Sequence, residues 1–306
     1  HKAEMDKLVA NLRRAMAANL DDITWMSDDT KVEARDKLSK FTPKIGYTEK
    51  FETYDSLNVS NDSAFNNQIA SDTWAYLDQI SQLGQPIDKT EWFMLPQTVN
   101  AYYSPNRNEI VFPAGILQPP FFDPNADPAV NYGAIGAVIG HEMTHGFDSG
   151  GRRYDAEGNF RDWWTEADAK AFDREAQKLI DQANAFEVLP GLNANGPLNV
   201  RENMADVGGI TLAYESLMDY LAEHPEENVE IDGLSPAKRC FIGWAQFWTA
   251  KASDPFLRML VAGDGHPPSP YRAFAALQHV DAFYETFGIE EGDPMWLPPE
   301  KRVRAW

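Results

Sequence analysis

Apolar residues recur every three to four positions through "AEMDKLVANLRRAMAANL", residues 3–20, which predicts an amphipathic helix at the start of the chain. A second helix is expected in "DDTKVEARDKLSKF", with Ser27 as its N-cap, acids in its first turn and lysines later. Pro43 and Gly46 punctuate its end, and the polar stretch "TEKFETYDSLNVSNDS" reads as a linker. Helical periodicity resumes from about Ala64 to Leu83, with Gly84 placed as a C-cap.

The period changes at "QTVNAYYSPNRNEIVFPAG". Thr98–Tyr103 and Glu109–Phe112 are β-branched or aromatic runs on either side of Ser-Pro-Asn-Arg-Asn, the pattern of a hairpin. Pro113, Pro119 and Pro120 then lead to a helix expected from about Ala129 to Phe147. A glycine-rich loop, "GGRRYDAEGNF", separates it from further helices at about 165–189, 202–223, 236–252 and 271–287. The proline-rich end, "DPMWLPPEKRVRAW", must be irregular. The expected fold class is mainly α with a small β element.

Composition narrows the function classes. The 306 residues, 43% of them apolar, are enough to bury a sizeable core. The longest apolar stretches run to about eight residues, against the roughly 20 that a helical span needs, so no membrane span is expected. A net charge of −20 with no clustered lysine or arginine argues against a nucleic-acid partner. Cys240 is the only cysteine, so disulfides and thiolate metal clusters are excluded and a small core residue is expected. Asn58 and Asn61 each head a glycosylation sequon, a pattern common by chance. The first residues carry neither a signal peptide nor an initiator Met, as in a processed or truncated chain.

Candidate chemistry begins in "GHEMTHGF", residues 140–147. Residues four apart on a helix share a face, so His141 and His145 can reach one metal ion. Glu142 lies about 100° round the helix from His141, beside that face, where a carboxylate can take a proton from a metal-bound water. Such a pattern arises by chance in roughly one chain in a hundred of this composition, so it needs a third ligand. The candidates come 57 residues after His145, in "RENMADVGG": Glu202 and Asp206, four apart on a predicted helix. One of the two can bind the metal while the other holds a histidine ring. The two glycines and apolar neighbours of "MADVGGI" predict close helix packing there. Asp148 reads either as another orienting carboxylate or as a helix-end residue.

With "VNAYY", "IVFPAGILQPPFF", "IGHEMTHGFD", Trp163–Trp164, "ENMADVGG", "DGHPPSPYR" and "PEKRVRAW" in this order, the chain resembles the neprilysin and endothelin-converting enzyme family of zinc endopeptidases. The resemblance implies a thermolysin-like zincin catalytic lobe and one Zn2+ per chain on His141, His145 and Glu202. It implies that Glu142 activates the zinc-bound water and passes the proton to the leaving amine, and that Asp206 orients a zinc-bound histidine. His266 would stabilise the oxyanion, Arg272 would grip a substrate carbonyl, and Asn100 and Ala101, on the edge strand, would bind the peptide backbone as an added strand. Ile116, Phe121, Val138 and Trp248 match the family's apolar pocket, so cleavage of oligopeptides before a bulky hydrophobic residue is implied. His266 taken without the resemblance is a loop histidine beside prolines, and His1, His224 and His279 read as structural or exposed.

Two departures from the family pattern bear on this reading. Many animal members carry a cysteine where this chain has Val303, which points to a bacterial-type member without that disulfide. The chain also corresponds to about the C-terminal half of a family protein. Residues 1–42 would then be the end of a helical roofing domain, 43–63 a linker and 64–306 the catalytic domain. The other half would supply most of the roof and an arginine that reads a substrate's C-terminal carboxylate. The alternative to an active peptidase is a non-catalytic or half-enzyme subunit that needs an N-terminal partner segment. The expected compartment is periplasmic or extracellular, with the cytoplasm as the alternative.

Overall fold

Two long helices open the chain, α1 (Lys2–Asp22) and α2 (Asp28–Ser39), in a computed structural model that describes residues 2–305. His1 and Trp306 lie outside the described residues. Ser27 precedes α2 as expected, but its hydroxyl makes no bond to the helix backbone. It donates instead to Asp168 Oδ2 at 2.6 Å, tying α2 to a distant helix.

Immediately after α2, Thr42–Gly46 forms strand β1, where the sequence suggests only a helix end. The β2 strand (Tyr102–Ser104) and β3 (Glu109–Pro113) make the expected hairpin, and β1 runs parallel to β3 on its other side. The sheet order is therefore β1-β3-β2, with β3 fully buried and β2 at an edge. Lys44 on β1 reaches across to the buried Glu109 of β3 at 2.7 Å. The start of the expected linker thus belongs to the sheet. Nor do residues 1–42 stand apart: Met5, Leu12, Met16, Leu38 and Phe41 share one core with Ile139 and Met143 of the histidine-bearing helix. The boundary expected at residue 42 is not a break in packing.

That helix begins as α4 (Pro128–Asn131), passes through a π-helical turn (Tyr132–Gly136) and continues as α5 (Ala137–His145). Its partner is α7 (Gly196–Glu223), which starts six residues before the expected 202. The "GG" pair explains how the two helices meet. A Cβ on Gly209 would lie 2.5 Å from the Ala137 carbonyl oxygen, so only glycine permits this separation. Expected close packing is therefore what the structure has.

The remaining elements are α3 (Ala64–Ser81), α6 (Glu166–Asn184), α8 (Pro236–Phe247), α9 (Asp254–Gly263), α10 (Ser269–Ala275) and α11 (Asp281–Phe287). The helix expected to run to 189 stops at Asn184, because a hairpin of β4 (Glu187–Leu189) and β5 (Leu192–Asn193) follows, turning at Gly191 with φ +74°. α9 is an element the sequence reading lacks. Cys240 is fully buried, as expected of a core residue. At the C-terminus, the Val303 N–H donates to His279 Nδ1 at 3.0 Å, and both residues are buried. Hydrogen bonding holds the chain where a disulfide is expected to be missing. Among the described residues no helix is long and apolar enough to cross a membrane.

α3 differs from the other long helices in burying nothing. Phe65, Ile69, Tyr76 and Ile80 fall on one face by their spacing and are 72%, 49%, 61% and 43% exposed.

Candidate metal centre and peptide cleft

The crossing of α5 over α7 brings two carboxylate-bearing turns against two histidines. His141 Nε2 and His145 Nε2 lie 3.0 Å apart. Glu202 offers Oε2 at 3.3 Å from the first and Oε1 at 3.5 Å from the second. Ligand atoms held about 2.0–2.1 Å from a tetrahedral zinc sit about 3.3 Å from one another, so the three side chains fit that ion. Among the described residues the buried Glu202 Oε2 makes no well-formed hydrogen bond, only 3.3 Å approaches from His141 Nε2 and His266 Nε2, a state that costs energy unless a cation takes it up. Two nitrogens and one oxygen leave a fourth position open, as a catalytic zinc site does.

Both rings are locked from behind. The Nδ1–H of His141 donates to Asp206 Oδ1 at 2.8 Å and that of His145 to Asp148 Oδ2 at 2.7 Å, since carboxylates can only accept. Each Nε2 lone pair is thereby directed at the shared point. Asp148 lies three residues past the end of α5 and orients a ring from there. Its Oδ1 also accepts the Gly150 and Gly151 N–H groups at 2.7 and 2.8 Å.

Charges in this buried cluster are strongly coupled. Burial opposes the imidazolium of His145, but hydrogen bonds to Asp148 and Glu202 outweigh it and push the ring up to about 10 without metal. Burial likewise disfavours ionised Glu202, yet the close approach of the two imidazoles holds it well below the usual carboxylate range. Burial raises Glu142, which makes it a stronger proton acceptor than an exposed carboxylate.

One cleft of about 560 Å³ is lined by His141, Glu142, His145, Glu202, Asp206, His266 and Arg272. Asn100, Ala101, Ile116, Phe121, Val138 and Trp248 line it too, so of the expected site residues only Asp148 lies behind its wall. Asn100 and Ala101 sit just before β2 and not within it, because regular pairing starts at Tyr102. Arg272 is engaged more tightly than a free substrate clamp: its Nε and Nη2 donate to Asp206 at 2.7 and 2.5 Å, and its plane lies 3.9 Å over Trp248.

Several contributors escape sequence reasoning. Asp264 accepts from His266 Nδ1 at 2.8 Å, and the buried Asn199 of α7 donates to the Asp264 and Gly265 carbonyls, anchoring that loop. Phe247 joins the apolar wall, where it meets Phe121 edge-on at 5.1 Å. The wholly buried Lys37 ammonium donates to the carbonyls of Gly146, Gly151 and Tyr154 at 2.6 to 2.7 Å, just past the end of α5. Burial pushes it down to about 7 against the pull of Asp148 and Asp155. His279 is structural and buried, while His224 caps the far end of α7 beside Glu226 and Glu227.

Known proteins resemble this chain in sequence and fold. The family model described as peptidase family M13 matches residues 100–303, and a second model of the same description matches residues 1–48. A neutral endopeptidase of Lactococcus lactis is 37% identical over 306 residues, covering all of this chain and 47% of the relative. Human neprilysin is 35% identical over 317 residues, covering all of this chain and 42% of the relative. The crystal structure of a Mycobacterium tuberculosis zinc metalloprotease in complex with an inhibitor superposes with a TM-score of 0.95 at 42% identity, over all of this chain and 47% of that one. The crystal structure of PepO from Lactobacillus rhamnosis superposes with a TM-score of 0.88 at 33% identity, over 99% of this chain and 46% of that one. The chain thus spans about half the length of the relatives it matches.

Proposed function

The chain belongs to peptidase family M13, and we propose that it is a zinc-dependent endopeptidase that cleaves oligopeptides on the N-terminal side of bulky hydrophobic residues. The observation that carries this reading is the cleft itself: a three-ligand metal site with an open position, a buried carboxylate beside it and an apolar wall within one peptide length.

His141, His145 and Glu202 would hold the zinc. A bound zinc supplies Lewis acidity and lowers the pKa of water to about 7. Glu142, raised by burial, accepts the proton of the attacking water and returns it to the leaving amine. His266, held by Asp264, would offer a donor to the oxygen that becomes negative, one such donor being typically worth about 3 kcal/mol, and Arg272, held by Asp206, would grip a substrate carbonyl. The backbone around Asn100 and Ala101 continues the open edge of β2, where an extended peptide can pair without regard to its side chains. Ile116, Phe121, Val138, Phe247 and Trp248 receive the side chain that follows the scissile bond.

A second condition on activity has its own support. Relatives are about twice as long, and α3 leaves Phe65, Ile69, Tyr76 and Ile80 exposed on one face. An apolar face of that kind marks a docking surface, and we infer that an N-terminal segment of the kind the relatives carry covers it and completes the enzyme.

Zinc content and cleavage of a peptide with a central Phe or Leu test both readings, with Glu142→Gln as control. Stoichiometric zinc with cleavage before the hydrophobic residue, lost in Glu142→Gln, supports the peptidase. Zinc without cleavage, restored by adding the N-terminal half of a relative, supports the half-enzyme. Cleavage that survives Glu142→Gln sinks the mechanism.

A further inference from the structure

Almost every charged side chain in the cleft has a partner inside it. The metal ligands face one another, Asp206 is paired with Arg272, and Glu142 is the proton acceptor. Arg201 is different. It precedes Glu202 on α7, lines the same cleft, and leaves its side chain 53% exposed. Its Nε donates to Asp148 Oδ2 at 3.2 Å, and among the described residues neither of its terminal nitrogens has a hydrogen-bond partner.

The contact to Asp148 holds the guanidinium in place; it is not what satisfies that carboxylate. Asp148 already accepts from His145, Gly150 and Gly151 at 2.7 to 2.8 Å. Gly150 completes the seat, because a Cβ there would lie 2.6 Å from the Arg201 Cζ. The planar group is thus laid over bare backbone with its Nε held by Asp148, and about half of the side chain stays exposed at the cleft. A guanidinium fork fits a carboxylate through two parallel bonds.

Position decides which part of a substrate it meets. Val138, in the apolar wall, lies one turn before His141, whereas Asp148 and Gly150 lie one turn beyond His145. At about 1.5 Å per residue, Val138 and His145 are about 10 Å apart along α5, and the Arg201 contacts lie past the His145 end. A peptide whose hydrophobic residue fills the apolar wall therefore lays its preceding residues over the Arg201 end. An extended chain advances about 3.3 Å per residue, so those within three positions of the scissile bond come into reach.

Resting on the peptidase reading above, we propose that Arg201 is a specificity residue, selecting peptides with an Asp or Glu side chain within three residues on the N-terminal side of the scissile bond. The protein as a whole, at a net charge of −20, would otherwise repel such a peptide.

Binding measures this without turnover. Zinc-loaded protein carrying Glu142→Gln is titrated with peptides sharing a Phe after the scissile bond and differing only by Glu, Gln or Lys at each of the three preceding positions. At one position Glu should bind about tenfold more tightly than Gln, with Lys weakest, and 0.5 M salt should compress the series. Adding Arg201→Gln should bring the Glu-to-Gln ratio close to one, and Arg201→Glu should turn the preference toward Lys. If Arg201 only braces Asp148, the variants weaken all three peptides by one factor and keep the ratio, which overturns the proposal. A parent protein indifferent to the substituted charge overturns it as well. Failure of every peptide to bind while zinc is retained would instead remove the peptidase reading on which the proposal stands.

Discussion

Gly140 of α5 and Gly209 of α7 meet face to face: a Cβ on the first would lie 2.9 Å from the carbonyl oxygen of the second. This contact sets how far Glu202 and Asp206 stand from the histidines, since each pair shares a helix with one glycine. Gly209→Ala is expected to lose about 1–3 kcal/mol of stability from overpacking. It should also weaken zinc binding, because the same shift separates the ligands. Thermal melting with and without zinc reads the first effect, and competition with a chelating dye reads the second.

Asp148→Asn and Asp206→Asn each replace a carboxylate that fixes a ring tautomer. An amide can present its NH2 to the ring and release the Nδ1 proton requirement. Each change should cost about 10–100-fold in zinc affinity. Asp206→Asn should be the worse of the two, because Arg272 then loses its buried counter-charge. Equal zinc affinity in parent and variants would contradict this account.

Lys37→Met keeps the length of the side chain and removes every donor. The carbonyls of Gly146, Gly151 and Tyr154 lose the ammonium that joins them, at an expected cost of about 3 kcal/mol. Some of this is offset because no charge then needs to be buried. The denaturant midpoint should fall while the helical circular dichroism at low denaturant is kept.

His279 makes stability depend on acidity. Burial, with Arg304, Lys178 and Arg302 nearby, lowers the ring from 6.5 to about 3. The unfolded chain therefore takes up a proton that the folded one refuses. The contribution is whole above pH 6.5 and is lost as the pH falls toward 3, with a slope approaching about 1.4 kcal/mol per pH unit. His279→Gln, which can still donate to Gln182 and accept from Val303, should flatten that slope in denaturation series between pH 4 and 7.

The metal centre was readable from sequence because its parts obey helical periodicity. His141 and His145 are one turn apart, as are Glu202 and Asp206, and the glycines beside the latter announce a close crossing. The sheet was only half readable. Pro43 and Gly46 look like punctuation, yet β1 survives because parallel pairing with β3 supplies what local propensity does not. α9 escaped because the Pro and Asp that open it and the Gly that closes it resemble a loop. Lys37 could not be told from the solvated lysines around it, since its role depends on carbonyls 109 to 117 residues away. Arg201 stood in plain view beside Glu202, but nothing local says that its side chain lines a cleft.

α7 carries Glu202 toward the metal, Asp206 to His141 and Arg272, Asn199 to the His266 loop, and Arg201 to the cleft rim. At 28 residues it is a rod about 42 Å long. A rod does not let go of its attachments one at a time. Heating or denaturant that frees α7 from α5 should release metal, slacken the oxygen-facing donors and open the cleft in one cooperative event, so that loss of zinc and loss of peptide binding trace the same curve.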